Sequence, residues 1–157
     1  LFLEKNSILT EHALRLSRFE SIKKMLNDNP DYNVSETFPS PFTNIDFNNP
    51  LLLTTYGYDK IVSLYISDQI MKTEGDSDTL DFSLLFQEYL AQSDLASEIR
   101  DRVGLNSSKY GFRYTKQKEK YYETYMGFVE NEAYKSRFHK AYNEIKMENR
   151  RSIQSGI

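Results

Sequence analysis

The chain contains no cysteine and no tryptophan, and only two histidines among its 157 residues. Without cysteine there is no disulfide framework, thiolate zinc site, iron–sulfur cluster or cysteine nucleophile. His12 and His139 are too few and too far apart for a histidine-based metal site, so no metal and no cofactor is expected. No hydrophobic run approaches the roughly eighteen residues of a membrane-spanning helix. Glycine is scarce at six residues, and none falls in a phosphate-binding loop, a dinucleotide fingerprint or a Gly-x-Ser-x-Gly elbow. The acidic run from Asp76 to Asp81 fails as a calcium loop, because its fifth position is Leu80 and its sixth is Asp81 rather than glycine. It reads as a helix-capping cluster. No nucleophile–base pair emerges, so no catalytic residue is assigned. A chain that opens at Leu1 with no methionine before it reads as an excised piece of a longer product.

What is present is aromatic and charged. Twelve tyrosines and ten phenylalanines supply the apolar area of a core, which argues against disorder. The formal net charge of −3 conceals an asymmetry. Residues 1–108 carry nine Lys/Arg against seventeen Asp/Glu, whereas residues 109–157 carry eleven against six together with seven of the tyrosines. A chain polarised in this way presents one charged face to a partner, or simply to solvent.

The spacing predicts an all-α fold, an orthogonal or antiparallel multi-helix bundle in one domain over residues 1–157. A first helix is expected over 10–27, capped by Thr10 and apolar at Leu14, Phe19, Ile22, Met25 and Leu26. The four prolines, Pro30, Pro39, Pro41 and Pro50, lie close together among Phe38, Phe42, Ile45 and Phe47. That composition makes 28–50 a long ordered loop whose rings cap the core, with a mobile partner-binding segment as the alternative. Its Ser40-Pro41 pair is a candidate phosphorylation site. Residues 51–149 form the helical core and 150–157 a flexible tail. Within the core, Asn49-Pro50 is a helix-start signature, and Asp59 caps a central helix through Ile70. Ser77 or Asp78 caps the next helix, and Ser93 or Asp94 a shorter one ended by Gly104. After an irregular stretch to Tyr114, Thr115 opens a helix that either breaks near 127–131 or runs on, bent, to 149.

The run from Lys109 to Tyr122 interleaves Lys109, Arg113, Lys116, Lys118 and Lys120 with aromatic rings. This is the chemistry of a base-stacking, phosphate-contacting surface, to which Arg150 and Arg151 would add. Tyr121, Tyr122 and Tyr125 also fall at helical spacing, where core packing is the competing explanation. A nucleic acid or anionic membrane is therefore a possible partner of this face.

The order of segments resembles a known family. Phe128-Val-Glu-Asn-Glu-Ala-Tyr134-Lys-Ser-Arg-Phe138 resembles the end of RGS domains, the regulators of G-protein signalling, which typically close on Leu-Met-Glu-x-Asp-Ser-Tyr-x-Arg-Phe. Asp59-Lys-Ile-Val-Ser-Leu-Tyr65 is similar to the family's central Glu-Asn-Leu-x-Phe-Trp helix, and Leu84-Leu-Phe86-Gln-Glu-Tyr89-Leu90 to the helix after it. Glu98-Ile99 fits the short segment that follows. The resemblance covers about residues 51–142. It implies an intracellular module, in the cytoplasm or at the inner membrane surface, that binds the Gα subunit. Such a module speeds Gα's hydrolysis of GTP without chemistry of its own, by holding the switch loops in the transition-state arrangement. The positions it marks for contact are Tyr58, Asp59, Lys60, Arg100, Phe128, Glu132 and Arg137. Lys60 stands where the family has an asparagine, so a two-way amide becomes a cation with no acceptor. A helical scaffold with no GTPase role is the alternative.

Overall fold

The structure is a computed structural model that describes residues 1–26, 31–35, 37–75 and 80–154. Among these it is all-α, with no strand: α1 is Phe2–Leu26, a 3-10 helix spans Pro50–Thr54, α2 is Tyr58–Glu74, α3 is Phe82–Gln92, α4 is Ser97–Tyr114, α5 is Lys118–Phe128 and α6 is Glu132–Gln154. The chain divides into two compact units, Leu1–Tyr65 and Ile66–Ile157.

In the first unit α1 starts at Phe2, well before the expected cap, and Thr10 is buried inside it. Its buried side chains are Asn6, Thr10 and Ala13, at helical spacing, whereas Ile22, Met25 and Leu26 are exposed. The expected apolar stripe is therefore not the packed face at the C-terminal end. The chain passes very close to α1 at Gly57. A Cβ added to Gly57 would lie 2.6 Å from Leu14 Cδ1, and Gly57 holds a φ of +79°, which other residues adopt only with strain. This turn separates the 3-10 helix from α2. Asn49 caps the former as expected, its side chain accepting from Leu51 N at 3.2 Å. Between the helices, residues 31–35 and 37–49 contain turns but no helix, and Phe38 stacks on Phe19. Phe47 lies parallel to Tyr65 with ring centres 4.2 Å apart, and Phe42 meets both rings edge-on. Pro30 lies outside the described residues.

The second unit is a helical bundle in which α3 lies against α4 and α5, and α4 against α5 and α6. Its core is aromatic: Phe112, Tyr121, Tyr125, Phe138 and Tyr142 are buried with Leu84, Leu105 and Val129. Tyr125 and Phe138 stack with centres 3.9 Å apart, and Phe112 packs against Tyr121, Phe138 and Tyr142. Burying one such ring contributes about 2 kcal/mol, so these rings dominate the unit's packing.

Several boundaries differ from expectation. The cap of α4 is Ala96 rather than Ser93 or Asp94, because Ser93 closes α3 instead, its N–H donating to the Leu90 carbonyl. Gly104 does not end α4, which continues to Tyr114. The glycine serves close packing instead, because a Cβ there would lie 2.6 Å from Tyr125 Cε2. Thr115 closes α4 rather than opening α5, whose first residue is Lys118. The Asp76–Asp78 cluster lies outside the described residues, and the cap of α3 is Asp81, which accepts from Leu84 N at 3.1 Å. Asp81's other oxygen accepts from the Thr115 hydroxyl at 2.8 Å and from Lys116 N at 2.9 Å. The long C-terminal helix does break after Phe128, and α6 runs to Gln154, so the helix takes in residues 150–154.

Candidate partner-binding site

The expected contact residues fall in both units. In the first, Tyr58 is fully buried and cannot be touched by a partner. Its hydroxyl donates to the Asp46 carbonyl at 2.6 Å, and burial pushes its pKa up to about 12. Tyr58 is thus a brace between the proline-containing segment and α2. Asp59 is half-buried and lies in the first helical turn rather than at the cap; its Oδ1 accepts from Lys60 N and its carbonyl from the Ser63 hydroxyl. Lys60 projects into solvent.

In the second unit, Arg100 and Phe128 come together. The Arg100 guanidinium sits over the Phe128 ring at 6.0 Å and lies 3.9 Å from the Glu130 carboxylate. Its side chain is only 19% exposed, so it is held by packing rather than waving in solvent. Its Nε is buried without a hydrogen-bond partner among the described residues. Phe128 in turn meets Tyr125 edge-on. Glu132, two residues beyond Glu130, begins α6 and is 83% exposed, with Lys135 Nζ at 2.7 Å. Arg137 is exposed on the same helix and lowers the pKa of Tyr125 against the dominant upward push of burial.

The residue that organises this corner, Asp101, carries no sequence signal of its own. It is 2% exposed, and its Oδ2 accepts the backbone N–H groups of Glu130 at 3.0 Å and Asn131 at 2.7 Å. Its backbone carbonyl accepts from the Tyr125 hydroxyl at 2.9 Å. One residue of α4 therefore fixes the end of α5 and the turn into α6. Burial raises its pKa; the two backbone donors and the Arg100 charge oppose that rise, and the Glu130 charge reinforces it. Asn131 then caps α6, its side chain accepting from Tyr134 N at 3.1 Å.

The basic and aromatic run is divided between core and surface. Tyr121 and Tyr125 are fully buried, and Tyr122 stacks on Tyr142 at 4.3 Å. Tyr110 and Tyr114 remain exposed. Lys120 pairs with Glu88 at 2.7 Å. Arg113 and Lys118 border a cavity of about 480 Å³ that also carries Glu144 and Glu148, so its charges balance. Lys116 is exposed, and the side chains of Lys109, Arg150 and Arg151 lie outside the described set. His139 accepts or donates to the Tyr122 hydroxyl at 2.8 Å and meets Asn143 at 2.9 Å, while His12 is exposed on α1. Among the described residues no group of three or more His, Cys, Asp or Glu could hold a metal, and no helix is long and apolar enough to cross a membrane.

No match to a known protein family, a curated protein or a solved structure was found.

Proposed function

We propose that the protein is a recognition module that binds another protein, in the manner its resemblance to RGS domains implies, with a Gα subunit as the partner. The observation that carries this reading is the corner formed by Arg100, Phe128 and Glu130. A guanidinium held over a ring and beside a carboxylate is already ordered before a partner arrives. Little side-chain entropy is then lost on docking. Three of the resemblance's contact positions, Arg100, Phe128 and Glu132, belong to this corner or the turn beside it. In this reading the protein brings no chemistry of its own and acts by stabilising one conformation of its partner.

The test is binding of the full chain to a panel of Gα subunits in the GDP, GTP-analogue and aluminium-fluoride states, with single-turnover GTP hydrolysis in parallel. The expected result is preference for the aluminium-fluoride state, weakened by Arg100→Ala and by Glu132→Ala. Equal or absent binding in all three states, with no acceleration, would overturn it.

A second reading, a scaffold that recruits a partner without touching GTP hydrolysis, is favoured by Lys60. A solvent-exposed ammonium stands where the resemblance has an amide, and it cannot accept a hydrogen bond. State-independent binding that still needs Arg100 would select this reading over the first.

A further inference from the structure

A second cavity lies wholly within the first unit, between α1 and the turn at Gly57, with a volume of about 320 Å³. This is at the small end of the range for ligand pockets. Its charged border is one-sided: Arg15, Arg18 and Lys60 against the single carboxylate of Glu11. Half of the six Lys and Arg residues in a net-acidic segment, residues 1–65, therefore gather around one hollow. Arg15 and Glu11 form an i, i+4 pair at 2.6 Å. No ion-pair partner of Arg18 or Lys60 occurs among the described residues. The remaining wall is apolar, made by Leu14, Ile22 and the ring of Tyr56. Tyr56 is 92% exposed and Ile22 43%, an aromatic and an aliphatic side chain left uncovered beside the cations.

We propose that this cavity binds a phosphate monoester carried on an aromatic body. Charge selects the group. The border sums to two positive charges, and a phosphate monoester carries about −1.5 to −2 at pH 7, whereas a carboxylate carries one. Geometry agrees. Arg18, three residues from Arg15 on one face of α1, offers a planar fork that matches phosphate oxygens; Arg15 adds a guanidinium shared with Glu11, and Lys60 a point charge from α2. Tyr56 and Ile22 supply a surface for a ring, which inorganic phosphate leaves uncovered. The site shares only Lys60 with the Gα-binding reading and does not depend on it.

The experiment titrates the full chain with phenyl phosphate, inorganic phosphate and phenol, following backbone amide shifts and heat. Saturable binding of phenyl phosphate is expected, with shifts centred on Tyr56, Gly57 and Lys60 and an affinity higher than for either fragment. Arg18→Ala and Lys60→Ala should each weaken it about tenfold. Tyr56→Ala should remove the advantage over inorganic phosphate. Because all three side chains lie at the surface, unchanged helical circular dichroism identifies variants that have kept the fold. Adenosine monophosphate and free phosphotyrosine, as further arms, separate a nucleotide source from a phosphorylated side chain. Non-saturable shifts, binding indifferent to Arg18 and Lys60, or equal affinity for phenyl and inorganic phosphate would each overturn the proposal. Because no Gα protein is present, failure here says nothing against the first reading, and failure there nothing against this one.

Discussion

Asp101 in α4 accepts the backbone N–H of Asn131 at 2.7 Å, thirty residues further along the chain. With the Glu130 N–H on the same oxygen, it closes the turn between α5 and α6. Asp101→Ala leaves two donors unsatisfied and should destabilise the protein by about 2–4 kcal/mol in urea unfolding. Asp101→Asn keeps an accepting oxygen and should cost about 1 kcal/mol or less. The pH dependence has a defined sign. Asp101's pKa is raised by folding, so the native state holds its proton more tightly than the unfolded chain. The stability of the natural protein relative to Asp101→Asn should therefore fall as pH rises from the ordinary aspartate range through the raised value, and then level off.

Tyr58 gives a second titration, at the alkaline end. Its hydroxyl is buried and its pKa is raised from 10.0 to about 12. The stabilisation is complete below the unfolded value and disappears as pH rises through the folded one. Between those limits the natural protein should lose roughly 2–3 kcal/mol more than Tyr58→Phe. Near-ultraviolet absorbance of tyrosinate, recorded with circular dichroism, would check it; parallel loss in both proteins would contradict it.

Glycines at two positions of similar appearance should behave in opposite ways. A Cβ on Gly111 would collide with the ring and hydroxyl of Tyr121, so Gly111→Ala should cost about 3 kcal/mol. Gly127 lies in α5 with nothing within 4 Å of an added Cβ. There Gly127→Ala should raise stability by about 0.5–1 kcal/mol through helix propensity alone. Thermal melting of the two variants decides both.

Arg100 separates binding from folding. Its ion pair with Glu130 is long at 3.9 Å, and Glu130 is 69% exposed, so the pair contributes little. Arg100→Ala should lower stability by about 1 kcal/mol, chiefly through lost packing on Phe128. If the proposed recognition is right, the same change weakens partner binding by more than that loss of stability accounts for. A variant that melts normally and binds normally would remove Arg100 from the interface.

The helical class was legible because apolar spacing repeats wherever a helix buries one side. Leu84, Phe86 and Leu90 in α3, and Phe138 and Tyr142 in α6, are both periodic and buried. The start of α1 was hidden because its buried residues there, Asn6 and Thr10, are polar, and Thr10 was taken for the cap that opens the helix. Gly104 was expected to end a helix and Gly111 lies in the stretch expected to be irregular, yet each makes room for a tyrosine that arrives from α5, which no local pattern reveals. Arg100 was named through the resemblance, but Asp101 beside it was passed over. Its acceptors' partners lie 29 and 30 residues away, and a lone aspartate in a helix looks like surface charge. Tyr58 was named through the resemblance, beside Asp59 and Lys60, yet its own side chain is fully buried.

Asp81 and Asp101 each join distant parts of the second unit, the first to Thr115 across 34 positions and the second to Asn131 across 30. The two spans overlap through residues 101–115, which are largely α4. Neither fastening survives if that stretch opens, so local fraying there releases both ends together. Amide hydrogen exchange should accordingly find α3, α4, α5 and the start of α6 opening as one cooperative block rather than helix by helix.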